Sequence, residues 1–443
     1  VRHNSYQNGG GMYIVNSTVE LVNTVIDSNT TTSSYGGGVY IQQSMVTMNE
    51  VEITNNTSSE RGGGIYVQNN SQLIINNVEI IDNHADNYGG GIYSEETVLD
   101  INNSIFRNNY GGTSGGAIYN IGVCNVGNSI FSENNSQYGG AIYNSSDLNV
   151  LNTSFTSNFA SDRGGAICSE YGNDSDQPDT IKNSSFNYNT ALYGGAIKLE
   201  HNQTTIFEEN ILNNNQAGNN EALYARGGAI HVNLSGNELD IINNTIINNQ
   251  SISSGDQESI GGGIYKEGGG INIINSIIRD NNANWNPNLN FTDNVDFSNI
   301  EMGDDIFPGI GNIDADPLFC DPDSSDYTLQ NISPCLGTGF NGADMGAFGL
   351  GCLEFYAGPV WYVSVDGSDS LNSGNQSGPF ATIQKGISSA SEGDTILVGP
   401  GTYHEHLNID GEKVLISQEG RENTIIDGSG TGRVLYINEE ATI

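Results

Sequence analysis

The sequence predicts an all-β solenoid, a parallel β-helix of about 24–34 residues per coil. Three observations predict it. A Gly-pair motif recurs ten times, a second motif built on Asn recurs ten times between the copies of the first, and the chain is rich in Asn, Gly and β-branched residues with only 15% charge. G-G-[GA]-[IVM] begins at residues 9, 36, 62, 89, 115, 139, 164, 194, 227 and 261, at spacings of 27, 26, 27, 26, 24, 25, 30, 33 and 34. [IF]-x-x-N ends at Asn29, Asn56, Asn83, Asn109, Asn134, Asn158, Asn189, Asn214, Asn249 and Asn281. A fixed period of this size is the mark of a repeat architecture. Helical repeats need Ala, Leu, Glu and Lys at 3.6-residue spacing, and the Leu framework of leucine-rich repeats is missing. "GIYVQNNSQLIINNVEIIDN" (Gly64–Asn83) reads instead as short alternating strands separated by Asn and Gly turns. Three strands of about five residues make one coil, and coils stack at about 4.8 Å.

Each repeated residue then has a task. The Gly pair sits at a bend where positive φ or a close backbone approach excludes a side chain. The Ile that follows (Ile65, Ile92, Ile118, Ile142) points into the coil and the next residue, Tyr, points outward. The Ile or Phe of the second motif fills the core from another wall. The Asn three residues later is expected in the left-handed region, and Asn29, Asn56, Asn83, Asn109, Asn134 and Asn158 are expected to stack as a hydrogen-bonded ladder along the axis. The long spacings are insertions: 216–226, 250–260 and the loop 168–179, which carries Asp174, Asp176 and Asp179.

Composition narrows the partners. The chain has 52 acidic and 13 basic residues, a formal charge of −39. That excludes nucleic acid, whose phosphates need Lys and Arg, and an anionic membrane surface. No run of 18 apolar residues is present, so no membrane insertion is expected. The chain opens "VRHNSYQNGGGMY", without an initiator Met, and is read as part of a longer precursor.

The paired G-G-A-[ILV] and F-x-x-N motifs resemble the repeats of the polymorphic outer-membrane protein family, exported bacterial surface proteins. The match covers about residues 9–281; Gly-Gly-Ala-Ile is literal at 115, 139, 164, 194 and 227, with Gly for Ala in the first four coils and Ile for Phe in six. The tail resembles a wider group, the right-handed parallel β-helix proteins of pectin-lyase-like type. "WYVSVDGSDSLNSGNQSGPFATIQKGISSASEGDTILVGPGTYHEHLNI" (Trp361–Ile409) is similar to their opening segment, in which a strand, a loop and a short helix cap the solenoid. Thr382 is suited to N-cap a helix over about 382–391 whose Ile383, Ile387 and Ala390 share a face. Residues 313–354 resemble the closing segment of the same group.

The expected organisation is therefore coils over 1–312, a closing segment over 313–354 and an opening segment over 355–443. This order is inverted, as it would be in one period of a tandem or end-to-end assembly, whose open coil ends would self-associate. A fragment of a two-domain protein would read the same way.

Chemistry is sparse. Arg61, Arg163 and Arg226 directly precede Gly pairs and read as solvated substitutions in a repeat slot. The six histidines show no metal-ligand spacing; His404 and His406 share one strand face. No cofactor is required. Asp366 and Asp369 in "DGSDS" could supply oxygen ligands to Ca²⁺, as could "DDIF" at 304–307. Cys320 and Cys335 are the expected disulfide, with Cys352 as the alternative partner. The expected role is a non-enzymatic extracellular or cell-surface structural or adhesive rod, with a surface polysaccharide as a further partner. The alternative is a polysaccharide lyase-like or hydrolase-like enzyme, or a carbohydrate-binding β-helix, with Tyr66, Tyr93, Tyr119 and Tyr143 lining a groove.

Overall fold

A computed structural model describes the chain except residues 33, 171–177, 255–258, 304, 353–357, 371, 439–440 and 443. Asp174, Asp176 and Asp304 lie outside the described residues. The chain forms two compact units, one of Val1–Pro317 with Pro334–Gly349, the other of Leu318–Ser333 with Leu350–Ile443. The stretch 313–354, expected as one closing segment, is thus shared between them.

The first unit is a parallel β-helix. Among the described residues its strands form three parallel sheets of 17, 11 and 10 strands and one two-stranded parallel pair. A coil holds four short segments rather than three strands of five, as in Ile65–Gln68, Gln72–Asn76, Glu79–Ile81 and His84–Ala85. The first two belong to the 17-stranded sheet and fuse in some coils, as in Ile92–Asn102. Every coil is in register with the next: Ile65 lies against Ile92 and Ile92 against Ile118, all fully buried in one interior column. Phe106, Phe131, Phe155 and Phe186 stack in a second column with centroids 4.6, 5.0 and 4.8 Å apart.

The asparagines make the third column. Asn134 Nδ2 donates to Asn158 Oδ1 (3.0 Å) and to Phe106 O (2.9 Å), while its Oδ1 accepts from the Nδ2 (3.0 Å) and backbone N–H (3.0 Å) of Asn109. The same pattern links Asn29, Asn56, Asn83, Asn109, Asn134, Asn158 and Asn189 at 3.0–3.1 Å. Two features differ from expectation. The left-handed residue at this corner is the one before the ladder Asn, namely Asn108, Glu133 and Ser157, with φ of 53°, 58° and 56°. A side chain at the left-handed position faces solvent; the next residue faces in and spends its amide on the neighbouring coils. In the eighth coil the ladder uses Asn215, not Asn214, and the core uses Leu212, not Ile211. The run Asn213-Asn214-Asn215 hides this one-residue shift, and Asn214 takes the left-handed place. A second ladder runs at another corner, where Ser104, Ser129 and Ser184 hydroxyls accept the backbone N–H groups of Val78, Ser104 and Thr153.

The Gly pair divides its labour. Gly139 has φ +61°, and a Cβ on Gly140 would lie 2.1 Å from Gly165 O. The third position is coupled to the core. Ile26, Ile53, Ile80 and Ile246 share their coils with Gly38, Gly64, Gly91 and Gly263, whereas Phe106, Phe131, Phe155, Phe186 and Leu212 share theirs with Ala117, Ala141, Ala166, Ala196 and Ala229. A Cβ on Gly91 would sit 3.1 Å from Ile80 Cγ2 and 2.7 Å from Ala117 O. Phe and Leu have no γ2 methyl, so their coils admit the Ala Cβ.

Between the Tyr face and the interior, Ser94, Asn120, Asn144 and Ser169 form a buried polar column in register. Beside it lies Asp179, buried, with Oδ1 accepting the Leu148 N–H at 2.8 Å. Burial, with the Asp147 charge as a lesser contribution, pushes its carboxyl up to about 7 against the hydrogen bonds from Leu148 and Ser169.

The second unit has its own core of Trp361, Val363, Phe380, Ile383, Ile387, Ile396, Val398 and neighbours. Val360–Val363, Thr395–Val398, Lys413–Ser417 and Ala441–Thr442 form a four-stranded parallel sheet. The helix is Ile383–Ser389; Thr382 caps it by accepting the Lys385 N–H, and Ile383 and Ile387 face the core. The disulfide joins Cys320 to Cys352, on strands Phe319–Asp321 and Leu350–Cys352 of one small sheet, with Cα atoms 5.9 Å apart. The expected Cys320–Cys335 pairing is corrected: Cys335 belongs to the first unit, buried, with its Sγ 3.1 Å from Asn299 Nδ2.

Two measurements test this packing. Gly91→Ala should cost about 1–3 kcal/mol in chemical denaturation. Adding Ile80→Phe should recover part of it, with a coupling above about 0.5 kcal/mol; strictly additive costs would contradict the shared space. For Asp179, the folded chain keeps a proton between about pH 4 and 7 that the unfolded chain, with an ordinary carboxyl near 3.9, has released. Its contribution to stability is therefore largest in acid, declines as pH rises to 7 and is flat above. Melting curves of Asp179→Asn across that range should lack this decline; an unchanged pH profile would show the carboxyl to be ordinary.

Candidate functional site

Outward side chains of the 17-stranded sheet begin as a tyrosine column. Tyr13, Tyr40, Tyr66, Tyr93, Tyr119 and Tyr143 stack with centroids 4.8–5.3 Å apart and ring planes within 10°. The four tyrosines expected to line a groove are buried or nearly so. Tyr66 and Tyr93 are roofed by Tyr35, Arg61 and Tyr88 from the slot before each Gly pair, with the Arg61 guanidinium 5.0 Å from the Tyr93 centroid and bonded to its hydroxyl at 3.0 Å. Here the tyrosines pack on each other, and desolvation pushes their phenols up.

After Tyr143 the column changes chemistry. Its next members, each in register with the last, are Cys168, Lys198, His231 and then Tyr265. The slot before the Gly pair runs alongside as Tyr138, Arg163, Tyr193, Arg226, Ile260 and Trp285. Between the two lies a cleft of about 320 Å³ lined by Arg163, Tyr193, Lys198, Glu200, Tyr224, Arg226, His231, Asn233 and Glu267. A larger cavity, about 690 Å³ near Asn281–Thr292, has Glu301 as its only ionisable lining residue among the described residues, and that carboxylate already accepts the Asp280 N–H at 2.8 Å. The chemistry is in the first.

Arg163 Nη1 bridges two carboxylates that neighbour each other in register, at 2.8 Å from Glu170 and 3.3 Å from Glu200. Lys198 Nζ lies 3.3 Å from the same Glu200 oxygen, with only 3% of its side chain exposed. Burial pulls its ammonium down; Glu200 opposes this. The His231 ring stands edge-on to Tyr265, 4.9 Å between centroids, with Nε2 3.1 Å from Glu267 Oε2, and its buried Nδ1 has no hydrogen-bond partner. Burial, then the charges of Lys198, Arg226 and Arg163, drive its pKa well below the usual value, so the imidazole is neutral at physiological pH. Burial also raises the Cys168 thiol far above its ordinary value, reinforced by Glu170.

Sequence reading missed this cleft. It took Arg163 and Arg226 as solvated, and the structure sets both on one wall facing Lys198 and His231. The signal was present in the residue after Gly-Gly-Ala-Ile, which is Tyr at 119 and 143 but Cys at 168, Lys at 198 and His at 231. Of the two residues named for Ca²⁺, Asp369 is bonded to the start of the second unit's helix. Asp369 accepts the N–H groups of Ala381 and Thr382 at 2.8 and 3.0 Å and the Thr382 hydroxyl at 2.6 Å, while Asp366 is exposed. Among the described residues no three His, Cys, Asp or Glu side chains converge as metal ligands. His404 pairs with Asp427 at 3.3 Å and His406 Nδ1 lies 2.8 Å from Arg433 O.

Comparison with known proteins agrees with the architecture. Residues 1–155 match the family described as "Right handed beta helix region". Residues 152–170 match the "Chlamydia polymorphic membrane protein repeat", and residues 365–439 match a "Protein of unknown function (DUF1565)" family. The uncharacterized protein YwoF of Bacillus subtilis (strain 168) is 33% identical over 85 residues, 18% of this chain and 18% of that one, so the chain spans under a fifth of this curated relative. A solved mutant of the PL6 family alginate lyase AlyGC aligns over 94% of this chain and 65% of its own, at 13% identity and a TM-score of 0.27.

Burial of the three thiols, Cys124, Cys168 and Cys335, gives a direct check. A charged alkylating reagent should label none of them rapidly in the native chain and all three in denaturant. Fast native labelling of Cys168 would show that the cleft opens to its floor.

Proposed function

We propose that the chain is an extracellular, surface-displayed β-helix of adhesive type, and that the cleft between Arg163 and Glu267 is its saccharide-binding site. One observation carries this reading. A tyrosine column that stacks without interruption through six coils is replaced for three by Cys168, Lys198 and His231, where it could have continued as Tyr. Burying a lysine and a histidine there costs stability that another stacked tyrosine would add. The surroundings suit a sugar. Tyr224 on the cleft wall is 45% exposed and Trp285, further along the adjoining column, 62%, so aromatic faces stand ready to pack on pyranose rings. Carboxylate, amide and guanidinium groups line the same cleft and are suited to take hydroxyls. The volume is that of a small-ligand pocket. The short match to a polymorphic membrane protein repeat supports a place at the cell surface.

A second reading puts catalysis in the same cleft. Lys198 with a lowered pKa and the neutral His231 are each suited to take a proton, with Arg163 beside them to steady a developing negative charge.

The test is glycan capture by immobilised chain. Tyr224→Ala, on an exposed wall residue, should weaken saccharide binding about tenfold with an unchanged melting temperature. Binding indifferent to this change and to Lys198→Met, or no binding to any glycan, would sink the reading. Shortening of the bound polysaccharide, abolished by Lys198→Met while binding persists, would establish the catalytic version.

A further inference from the structure

Granted a saccharide site, the charge arrangement of the cleft speaks to the kind of saccharide, and the assignment rests on that reading of the site. The cleft's three cations are Arg163, Lys198 and Arg226; set against them are Asp162, Glu170, Glu200 and Glu267. Arg163 is engaged by two glutamates at 2.8 and 3.3 Å, with Asp162 at 3.8 Å, and Lys198 shares Glu200 at 3.3 Å. The Arg226 guanidinium lies over the Tyr265 ring at 5.1 Å. An incoming carboxylate would have to displace a glutamate from Arg163 and enter against the field of a chain with net charge −39. Glu267 differs from the other acids. Its side chain is 45% exposed, its direct contact within the cleft is the His231 ring at 3.1 Å, and its charge reaches Lys198 without a direct ion pair. Glu200, also partly exposed, lines the same cavity, and so does the exposed ring of Tyr224. The most exposed charge among these groups is thus the Glu267 carboxylate, which shares the cavity with the Tyr224 ring, an aromatic face that favours cations.

We propose that the cleft selects a saccharide bearing a free amino group, an amino sugar with an unacetylated ammonium, over neutral and uronic-acid glycans. Glu267 is the anchor for the ammonium, with Tyr224 beneath the ring.

Isothermal titration of the full chain at pH 6 and physiological salt separates the outcomes. The probes are a glucosamine hexamer with free amines, its fully N-acetylated counterpart, a glucose hexamer and a hexuronate hexamer. Expected is binding of the free-amine hexamer at least about tenfold tighter than its acetylated or neutral counterparts, and none of the hexuronate. Glu267→Gln should remove about tenfold of that affinity while leaving the melting temperature in place. Equal binding of the glucose hexamer, or preference for the hexuronate, overturns the amino-sugar assignment and leaves the saccharide site standing. Amine binding insensitive to Glu267→Gln also overturns it, because a polycation attracted to the chain's bulk charge would behave that way. If no hexamer binds, the saccharide reading itself fails.

Discussion

Asn134 sits in the interior of the coil stack with each of its amide hydrogens on an oxygen and its own oxygen holding two N–H groups from the coil before. A polar side chain in such a place is tolerated only when fully bonded, and full bonding requires the neighbouring coils to stand at one height and one rotation. The rest of the first unit depends on this constraint. Once the asparagines are in line, Ile65 must fall on Ile92 and Phe131 on Phe155, and the outward face inherits the same register. Insertions then have to leave at corners between ladder positions: within 216–226, Gln216–Gly218 and Ala225–Arg226 stay in the solenoid as strands and residues 219–224 form the excursion between them.

The coupling of Ile with Gly and of Phe or Leu with Ala shows the same economy inside a single coil. Corner and bend approach so closely that one methyl decides between two packings: the γ2 methyl of Ile80 fills the space that the Ala117 Cβ occupies one coil later. Two solutions alternate along one chain because each coil must close its own corner while presenting the same backbone to the next. The cleft is where this economy is suspended. Three coils keep the inward Ile and give up the outward Tyr, and among the side chains that replace it Lys198 is held by Glu200 and His231 by Glu267.

How far the sequence disclosed this depended on how many coils shared a feature. The Gly pairs, the inward Ile and the first six ladder asparagines were legible because stacking repeats them. The left-handed residue was misplaced by one, since the corner accepts polar residues both at the ladder position and just before it, and only coordinates show which side chain faces in. Glu133 and Tyr188, at the earlier of these two places, carry no Asn signature. The serine ladder escaped notice because Ser104, Ser129, Thr153, Ser184 and Asn210 share a hydrogen-bonding role but no residue type. The disulfide could not be read from spacing, which says nothing about which cysteines share a sheet. The cleft was hidden for a related reason: its members span 163–267 and converge only when residues are aligned by coil position.

The central claim is that buried asparagine amides set the register of the coils. Adjacent residues test it most directly: Asn134 is buried in the ladder and Asn135 is exposed beside it. In equilibrium denaturation Asn134→Ala should cost about 2–4 kcal/mol, because it strands buried donors and acceptors on both neighbouring coils. Asn135→Ala should stay within about 0.5 kcal/mol of the parent. Equal losses at the two positions, or a neutral Asn134→Ala, would contradict the account.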